Sequence, residues 1–338
     1  MKMSKKKDVI WISNVSPPRE IVLGILNNHF EMKIGNPPYN EQVCAEEIKK
    51  ADGVLVSMHC PMTKRVMESA PGLKIISKYG AGVETIDLKG ATELGIIVAH
   101  SALNYKSVAE LAVLQILAVL RKLPHAINNV KTGKWKGLEE ELLGHEVAGK
   151  TVGIIGLGRI GSHLTKILKG FEVRILAFDP YASSDKATQI GAELVDLEAL
   201  VKTSDIVSIH CALTSETRHL IGEREFKLMK KTAILVNASR GPVVDESALL
   251  VALKQGWIAG AGLDCFDPEP PDIDNPLLEL GNVIPTPHIG ASTVESRKKV
   301  LAQAAQNLVD LLVYNKLPQK KFIANPKVLD AEMRIRLK

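Results

Sequence analysis

A chain of 338 residues is long enough for about two domains with cores of their own, which excludes a mini-protein held together by staples. Apolar residues make up 46% and charged residues 24%, the balance of a globular chain, so neither global disorder nor a membrane bundle fits. Lys and Arg number 43 against 38 for Asp and Glu, and the resulting +5 is too mild and too dispersed to call for a nucleic-acid partner.

At the N-terminus Lys2, Lys5, Lys6 and Lys7 precede a short apolar run over residues 9–12, which Ser13, Asn14, Pro17 and Pro18 cut off. That run is too short for a secretion signal. Strands are predicted over residues 9–13, 53–56, 73–78 and 95–99, with helices near 18–29, 41–50, 62–69 and 86–94. Strand and helix in alternation predict βαβ units and a parallel sheet. One long helix is expected from Asn104 to about Asn128, with Ser107 and Glu110 spaced as a capping box at its start. Its apolar stretch over residues 111–120 holds Gln115 and ends at Arg121, well short of the ~20 residues that span a bilayer, so no membrane partner is expected.

A second alternating series starts at Thr151. Its strands are predicted over residues 151–156, 173–178, 206–210, 233–237, 260–264 and 283–285, and a closing helix over 292–314. The cysteines Cys44, Cys60, Cys211 and Cys265 are far apart and form no CxxC, so neither a metal site nor a disulfide framework is expected, and the setting is a reducing cytoplasm.

The first strand of this series runs into Gly156-Leu157-Gly158-Arg159-Ile160-Gly161 and then a helical segment. Gly156 permits the tight turn, Gly158 lets backbone approach a pyrophosphate, and Gly161 lets the helix pack closely on the strand. The next strand ends at Asp179, 23 residues after Gly156 and near the ~20-residue offset of an acid that holds the adenosine ribose. A carboxylate there repels a 2′-phosphate, so NAD is expected rather than NADP.

Three later strands each run into a loop with one chemically useful residue: Arg240, Glu269 and His288. Reduction of a 2-keto acid needs a hydride at the carbonyl carbon, a proton on its oxygen and an anchor for the carboxylate. The fork of Arg240 matches carboxylate geometry. The imidazole of His288 exchanges a proton near neutrality. Glu269 holds the ring in orientation and favours its charged form. Each residue alone fits an ordinary loop role, whereas the three together downstream of the glycine turn point to one site.

The sequence resembles the D-isomer-specific 2-hydroxyacid dehydrogenase family across nearly its whole length. The resemblance is carried by Gly80-Ala81-Gly82-Val83-Glu84-Thr85-Ile86-Asp87, by Ser107-Val108-Ala109-Glu110, and by residues 151–161, 210–214, 237–245, 262–270 and 286–293. It implies two doubly wound parallel-sheet α/β domains, with a Rossmann NAD-binding domain (residues 104–293) inserted in a discontinuous flavodoxin-like substrate domain (1–103 and 294–338). It gives Arg240, Glu269 and His288 as the catalytic set, and Asp264 a place near the nicotinamide carboxamide. Cofactor contacts are implied for Ser101, Val108, Arg159, Ile160, Cys211, Ala238, Ser239, Gly290 and Ala291, beside the glycines and Asp179. Substrate contacts are implied for Lys78, Gly80, Ala81 and Gly82, with Arg240 and His288. The resemblance also implies a homodimer formed through a segment such as residues 104–135.

Some positions depart from the pattern. Relatives acting on phosphoglycerate often carry basic residues where this chain has Ser57 and Met58, and only Lys78 remains. Ala212 stands where proline is common, and Ser101-Ala102 replace a common Thr-Pro pair. The chain stops soon after its last predicted helix, which implies that it lacks the regulatory domains of longer phosphoglycerate dehydrogenases. The expected activity is reversible hydride transfer between NADH and a small 2-keto acid. Two alternatives are D-3-phosphoglycerate dehydrogenase of serine synthesis and an NAD(H)-sensing binding protein.

Overall fold

The computed structural model describes residues 7–13, 19–136 and 140–330; the N-terminal lysines up to Lys6 and the break at residues 14–18 lie outside them. Contacts divide the chain into two compact units, one running to Asn104 and resuming at Thr293, the other spanning Tyr105–Ser292.

The first unit holds five parallel strands: β1 (Val9–Ile12), β2 (Glu31–Ile34), β3 (Gly53–Val56), β4 (Ile75–Lys78) and β5 (Ile97–His100). Their order is β2-β1-β3-β4-β5, the flavodoxin-like arrangement. Helices α1 (Glu20–Leu26), α2 (Glu41–Ile48), α3 (Lys64–Glu68) and α4 (Leu88–Glu93) connect them. Side chains alternate along each strand, so Ile10, Ile12, Leu55 and Ile75 pack on one face while Trp11, Val54, Val56 and Ile76 pack on the other. β2 was not predicted. It is a largely exposed edge strand, Glu-Met-Lys-Ile, with no apolar run to betray it.

The second unit holds β6 (Thr151–Ile155), β7 (Arg174–Phe178), β8 (Glu193–Leu194), β9 (Ile206–Ile209), β10 (Ile234–Asn237), β11 (Gly260–Leu263) and β12 (Val283–Pro285). All are parallel, in the order β12-β11-β10-β9-β6-β7-β8. One face is covered by α5 (Tyr105–Leu120), α7 (Arg159–Leu168) and α8 (Ser184–Ile190), and the other by α9 (Leu197–Thr203), α10 (Glu223–Leu228) and α11 (Glu246–Lys254). Glycines in β11 bring α5 close: a Cβ on Gly262 would lie 2.8 Å from Gln115 Cβ, and one on Gly260 2.9 Å from Val119 Cγ1.

The helix expected over residues 104–128 is two helices, α5 and α6 (Leu123–Lys131). Pro124 has no N–H and its ring clashes with the carbonyl four residues back, so the chain turns at Lys122, where φ is +50°. Ser107 is likewise no cap but the third residue of α5, and it is buried.

The first unit is closed by α12 (Val294–Leu312), whose Leu301, Ala304, Ala305 and Leu308 fill the core over β1, β3, β4 and β5. Beyond it the chain runs along β5. Ala324 N donates to Val98 O at 2.8 Å, while Asn325 accepts from Val98 N and donates to Ile96 O. The edge of the sheet is thereby covered.

Candidate active site

Two clusters lie at the carboxyl ends of the strands in the second unit, where ligands of open α/β sheets bind. The first is the glycine-rich turn after β6, at the switch point where β6 is flanked by β7 and β9. Gly156 has φ +95°, and a Cβ there would meet Cys211 N at 2.7 Å. A Cβ on Gly161 would fall 2.0 Å from Gly156 O, so α7 can sit on the turn only with glycine at that position. At Gly158 a side chain would meet nothing, and the residue caps α7 without a side-chain hydrogen bond. Open backbone beside the positive end of a ten-residue helix suits an anionic ligand.

Asp179 follows β7 and accepts from Leu157 N at 2.8 Å and from Tyr181 N at 2.9 Å, which sets its carboxylate against the glycine turn. Arg159 and Ile160 open α7, with the Arg159 guanidinium 5.1 Å above the Tyr105 ring. Burial pushes the Cys211 thiol up to about 11, so this side chain presents a neutral wall. An uncovered helix end, a glycine with open space and an acid at the next strand end fit a dinucleotide's pyrophosphate and ribose.

The second cluster comes from the loops after β10, β11 and β12. Asn237 closes β10 almost completely buried: its Oδ1 accepts from Ser239 N and Ser239 Oγ, and its Nδ2 donates to Arg240 O at 2.9 Å. The turn that presents Arg240 is therefore organised by one amide. Ala238 and Ser239 are buried within it. Gly241 lets this turn meet the next loop, because a Cβ there would lie 2.0 Å from Phe266 O.

In that next loop, Glu246 of α11 accepts from Asp267 N at 2.7 Å and from Asn275 Nδ2 at 3.3 Å. Burial raises the pKa of this carboxyl. It tethers the segment that carries Glu269. The third loop is held by Asp264, which is 2% exposed: its carboxylate accepts from Thr286 Oγ1 at 2.6 Å, Ile289 N at 2.8 Å and Gly290 N at 2.8 Å. Asp264 O also accepts from His288 N at 3.0 Å. His288 sits in this clamp with φ +51°. Its Nδ1 meets Glu269 Oε1 at 2.5 Å, with side chains 30% and 28% exposed, so the pair is formed yet reachable from solvent. The other ring nitrogen is left for a ligand. Val108 of α5 packs against Gly290, and Ala291 is half-buried beside it.

The structure thus brings Arg240, Glu269 and His288 onto three loops of one sheet whose strands β10, β11 and β12 are adjacent. Asn237, Glu246 and Asp264 hold those loops. Only Asp264 was singled out from the sequence, and the other two could have been found only by asking which buried polar side chains a strand end must satisfy.

Lys78, Gly80, Ala81, Gly82 and Ser101 belong to the first unit. Lys78 is buried, and its Nζ donates to Tyr79 O at 2.9 Å. Gly80 has φ +97°, and its N–H donates to Ser101 Oγ at 3.0 Å. Ser101 Oγ in turn donates to Lys78 O at 3.1 Å. The Ser101 hydroxyl is engaged in holding that turn, and Ala81 at its tip is exposed.

The chain matches, over residues 113–290, the family described as D-isomer specific 2-hydroxyacid dehydrogenase, NAD binding domain. It is 40% identical over 308 residues to a glyoxylate reductase from Korarchaeum cryptofilum, covering 90% of this chain and 92% of that one. A D-3-phosphoglycerate dehydrogenase from Methanocaldococcus jannaschii is 42% identical over 340 residues, which cover 96% of this chain and 64% of that longer relative. Among solved structures, D-lactate dehydrogenase from Aquifex aeolicus complexed with NAD and lactic acid superposes with a TM-score of 0.84 at 30% identity, covering 94% of this chain and 99% of that one. Taken with the all-parallel sheets and the glycine turn, these likenesses establish that the chain belongs to the D-isomer-specific 2-hydroxyacid dehydrogenase family, whose NAD-binding domain it carries.

Proposed function

We propose that the protein is an NAD-dependent reductase of a small, unphosphorylated 2-keto acid, with Arg240, Glu269 and His288 as its catalytic set. The observation that carries this reading is the His288–Glu269 pair on a loop clamped by Asp264. NADH, when bound, supplies the hydride. Gly156, Gly158 and Gly161 leave room for its pyrophosphate, the first turn of α7 offers N–H groups to it, and Asp179 receives its ribose hydroxyls and disfavours a 2′-phosphate. Arg240 holds the substrate carboxylate through its fork and polarises the neighbouring carbonyl. His288 gives the carbonyl oxygen a proton from the nitrogen that does not face Glu269. Glu269 fixes the ring orientation and balances the charge of the imidazolium, the part a carboxylate plays behind an acid–base histidine.

The unit that resumes at Thr293 is assigned to substrate, through Lys78 and the turn Gly80-Ala81-Gly82. An unphosphorylated substrate is favoured because Ser57 and Met58 bring no charge and the Lys78 ammonium is already bound to a carbonyl. The glyoxylate reductases among the relatives point the same way. The four free cysteines fit the reducing cytoplasm; among the described residues no helix is long and apolar enough to cross a membrane.

A homodimer is proposed through α5 and α6. Leu114, Leu123 and Ile127 are exposed there around an apolar hollow of about 450 Å³, with Val130 exposed on the same helix as Ile127, a surface that monomers rarely leave open. Light scattering should give twice the chain mass, and Ile127→Asp should halve it.

Oxidation of NADH, with NADPH in parallel, against glyoxylate, hydroxypyruvate, pyruvate, phenylpyruvate and 3-phosphohydroxypyruvate tests the activity. Turnover is expected with NADH and an unphosphorylated acid. Preference for the phosphorylated acid would assign serine synthesis and give Lys78 a phosphate to bind. No turnover on any of them would make the protein a nucleotide sensor.

A further inference from the structure

A thiol stands beside the histidine–carboxylate pair. Cys265, one residue past Asp264, is 2% exposed; its Sγ lies 3.8 Å from His288 Nδ1 and donates to Ser239 O at 3.3 Å. One donor atom from each of Cys265, Glu269 and His288 falls within 4.8 Å of the other two. Among the described residues no other three His, Cys, Asp or Glu side chains converge in this way. The sequence shows no zinc spacing because the ligands are borne by two loops that meet only through the pairing of β11 with β12.

The chemistry and the geometry agree on one class of ligand. Thiolate, imidazole nitrogen and carboxylate oxygen form a set that suits Zn²⁺ and the softer divalent ions, not Mg²⁺ or Ca²⁺. A tetrahedral ion with bonds of about 2.3 Å to sulfur and 2.0–2.1 Å to nitrogen holds those two donors roughly 3.6 Å apart, close to the separation present, while His288 Nδ1 and Glu269 Oε1, 2.5 Å apart in their hydrogen bond, open to about 3.4 Å when both ligate. The scaffold is stiff on both sides. Pro268 and Pro270 flank Glu269, and Asp264 ties down the loop of His288 through Thr286, Ile289 and Gly290. The partial exposure of Glu269 and His288 leaves an entry path and a fourth position for water.

We propose that Cys265, Glu269 and His288 form a binding site for a thiophilic divalent cation, Zn²⁺ foremost, and that the bound ion stops turnover. The ion takes the place of two protons, those on Cys265 Sγ and His288 Nδ1, which leave to solvent. It holds the imidazole by the nitrogen that otherwise faces Glu269, so the ring no longer gains and loses its proton. The inhibition rests on the catalytic reading above, whereas the binding stands apart from it.

The test titrates ZnCl₂ into metal-stripped protein in two assays at once: competition against a metallochromic indicator, and oxidation of NADH. CdCl₂ replaces it in a third, which reads the thiolate-to-cadmium charge-transfer band. The wild-type chain is expected to take up one Zn²⁺, to show the band and to lose activity as the ion binds, while MgCl₂ does neither. Cys265→Ser, which loses the soft ligand, is expected to abolish the band and to weaken both binding and inhibition by about ten-fold or more. Cys265→Val gives the same comparison with an apolar filling, should the serine hydroxyl disturb the buried site. Equal binding and inhibition by Zn²⁺ in the wild type and in whichever of these variants folds would overturn the proposal, as would an unchanged cadmium band. Uptake through Cys265 by a chain that turns over none of the keto acids would uphold the site and refute the enzymatic reading instead.

Discussion

The two clusters of the second unit are built by opposite means. The glycine turn after β6 is backbone work: across the six residues from Gly156 to Gly161 the glycines bend, avoid collision and leave N–H groups open, and Asp179 alone adds a side chain. The loops after β10, β11 and β12 are side-chain work: Asn237, Glu246 and Asp264 each accept or donate two or more hydrogen bonds so that Arg240, Glu269 and His288 face outward. A backbone site tolerates change at its rim and none at Gly156 or Gly161, where a Cβ would collide with backbone. A side-chain site depends on buried polar groups whose loss leaves partners unsatisfied.

Removing the acid should have the largest effect. His288→Ala is expected to lower kcat by about 10²–10⁴-fold while NADH affinity, followed by quenching of protein fluorescence, stays near that of the wild type. A comparable loss of NADH affinity would merge the two clusters into one functional unit. The glycine corner can be probed by pH. His210, just past β9, is fully desolvated and held at about 4, below its ordinary 6.5. Between those values the unfolded chain carries a proton that the folded chain refuses, so stability should fall as pH is lowered from 6.5 to 4, by about 3 kcal/mol. Urea unfolding across that range should show the slope, and His210→Gln should flatten it.

Asp264→Asn sets an amide N–H₂ against backbone donors and should loosen the loop of His288. A fall in kcat of about 10–100-fold with intact folding is expected, in line with other residues that orient a functional group. The smallest effect belongs to the rim of the backbone site. Asp179→Ser is expected to raise the NADPH to NADH ratio of kcat/KM by about ten-fold, the worth of one hydrogen bond and one repulsion. An unchanged ratio would remove Asp179 from cofactor choice.

This contrast also explains what the sequence disclosed. The glycine turn and its acid are legible because a backbone site is local, its requirements written in adjacent residues. Most strands were legible as well, since those buried on both faces read as apolar runs; β2 and β8, each at one edge of its sheet, carry none. The break between α5 and α6 was written in Pro124 but hidden by apolar periodicity that continues past it. The supports of the second cluster were not legible for a different reason. Glu246 reaches Asn275, and Asp264 reaches Gly290, only after the parallel order of strands has brought distant loops together.

The helix that closes the first unit bears on how the chain is made. Residues 105–292 form a unit of their own, and every strand of its sheet lies within that span. The first sheet is finished far earlier in synthesis, but one of its faces is covered by Val22 and Leu26 of α1 alone until Leu301, Ala304 and Leu308 of α12 arrive. The later-made unit can therefore complete its core first, while five strands with a part-covered apolar face wait for nearly 200 further residues. During that interval the first sheet is the part of the nascent chain that most needs shielding from its neighbours.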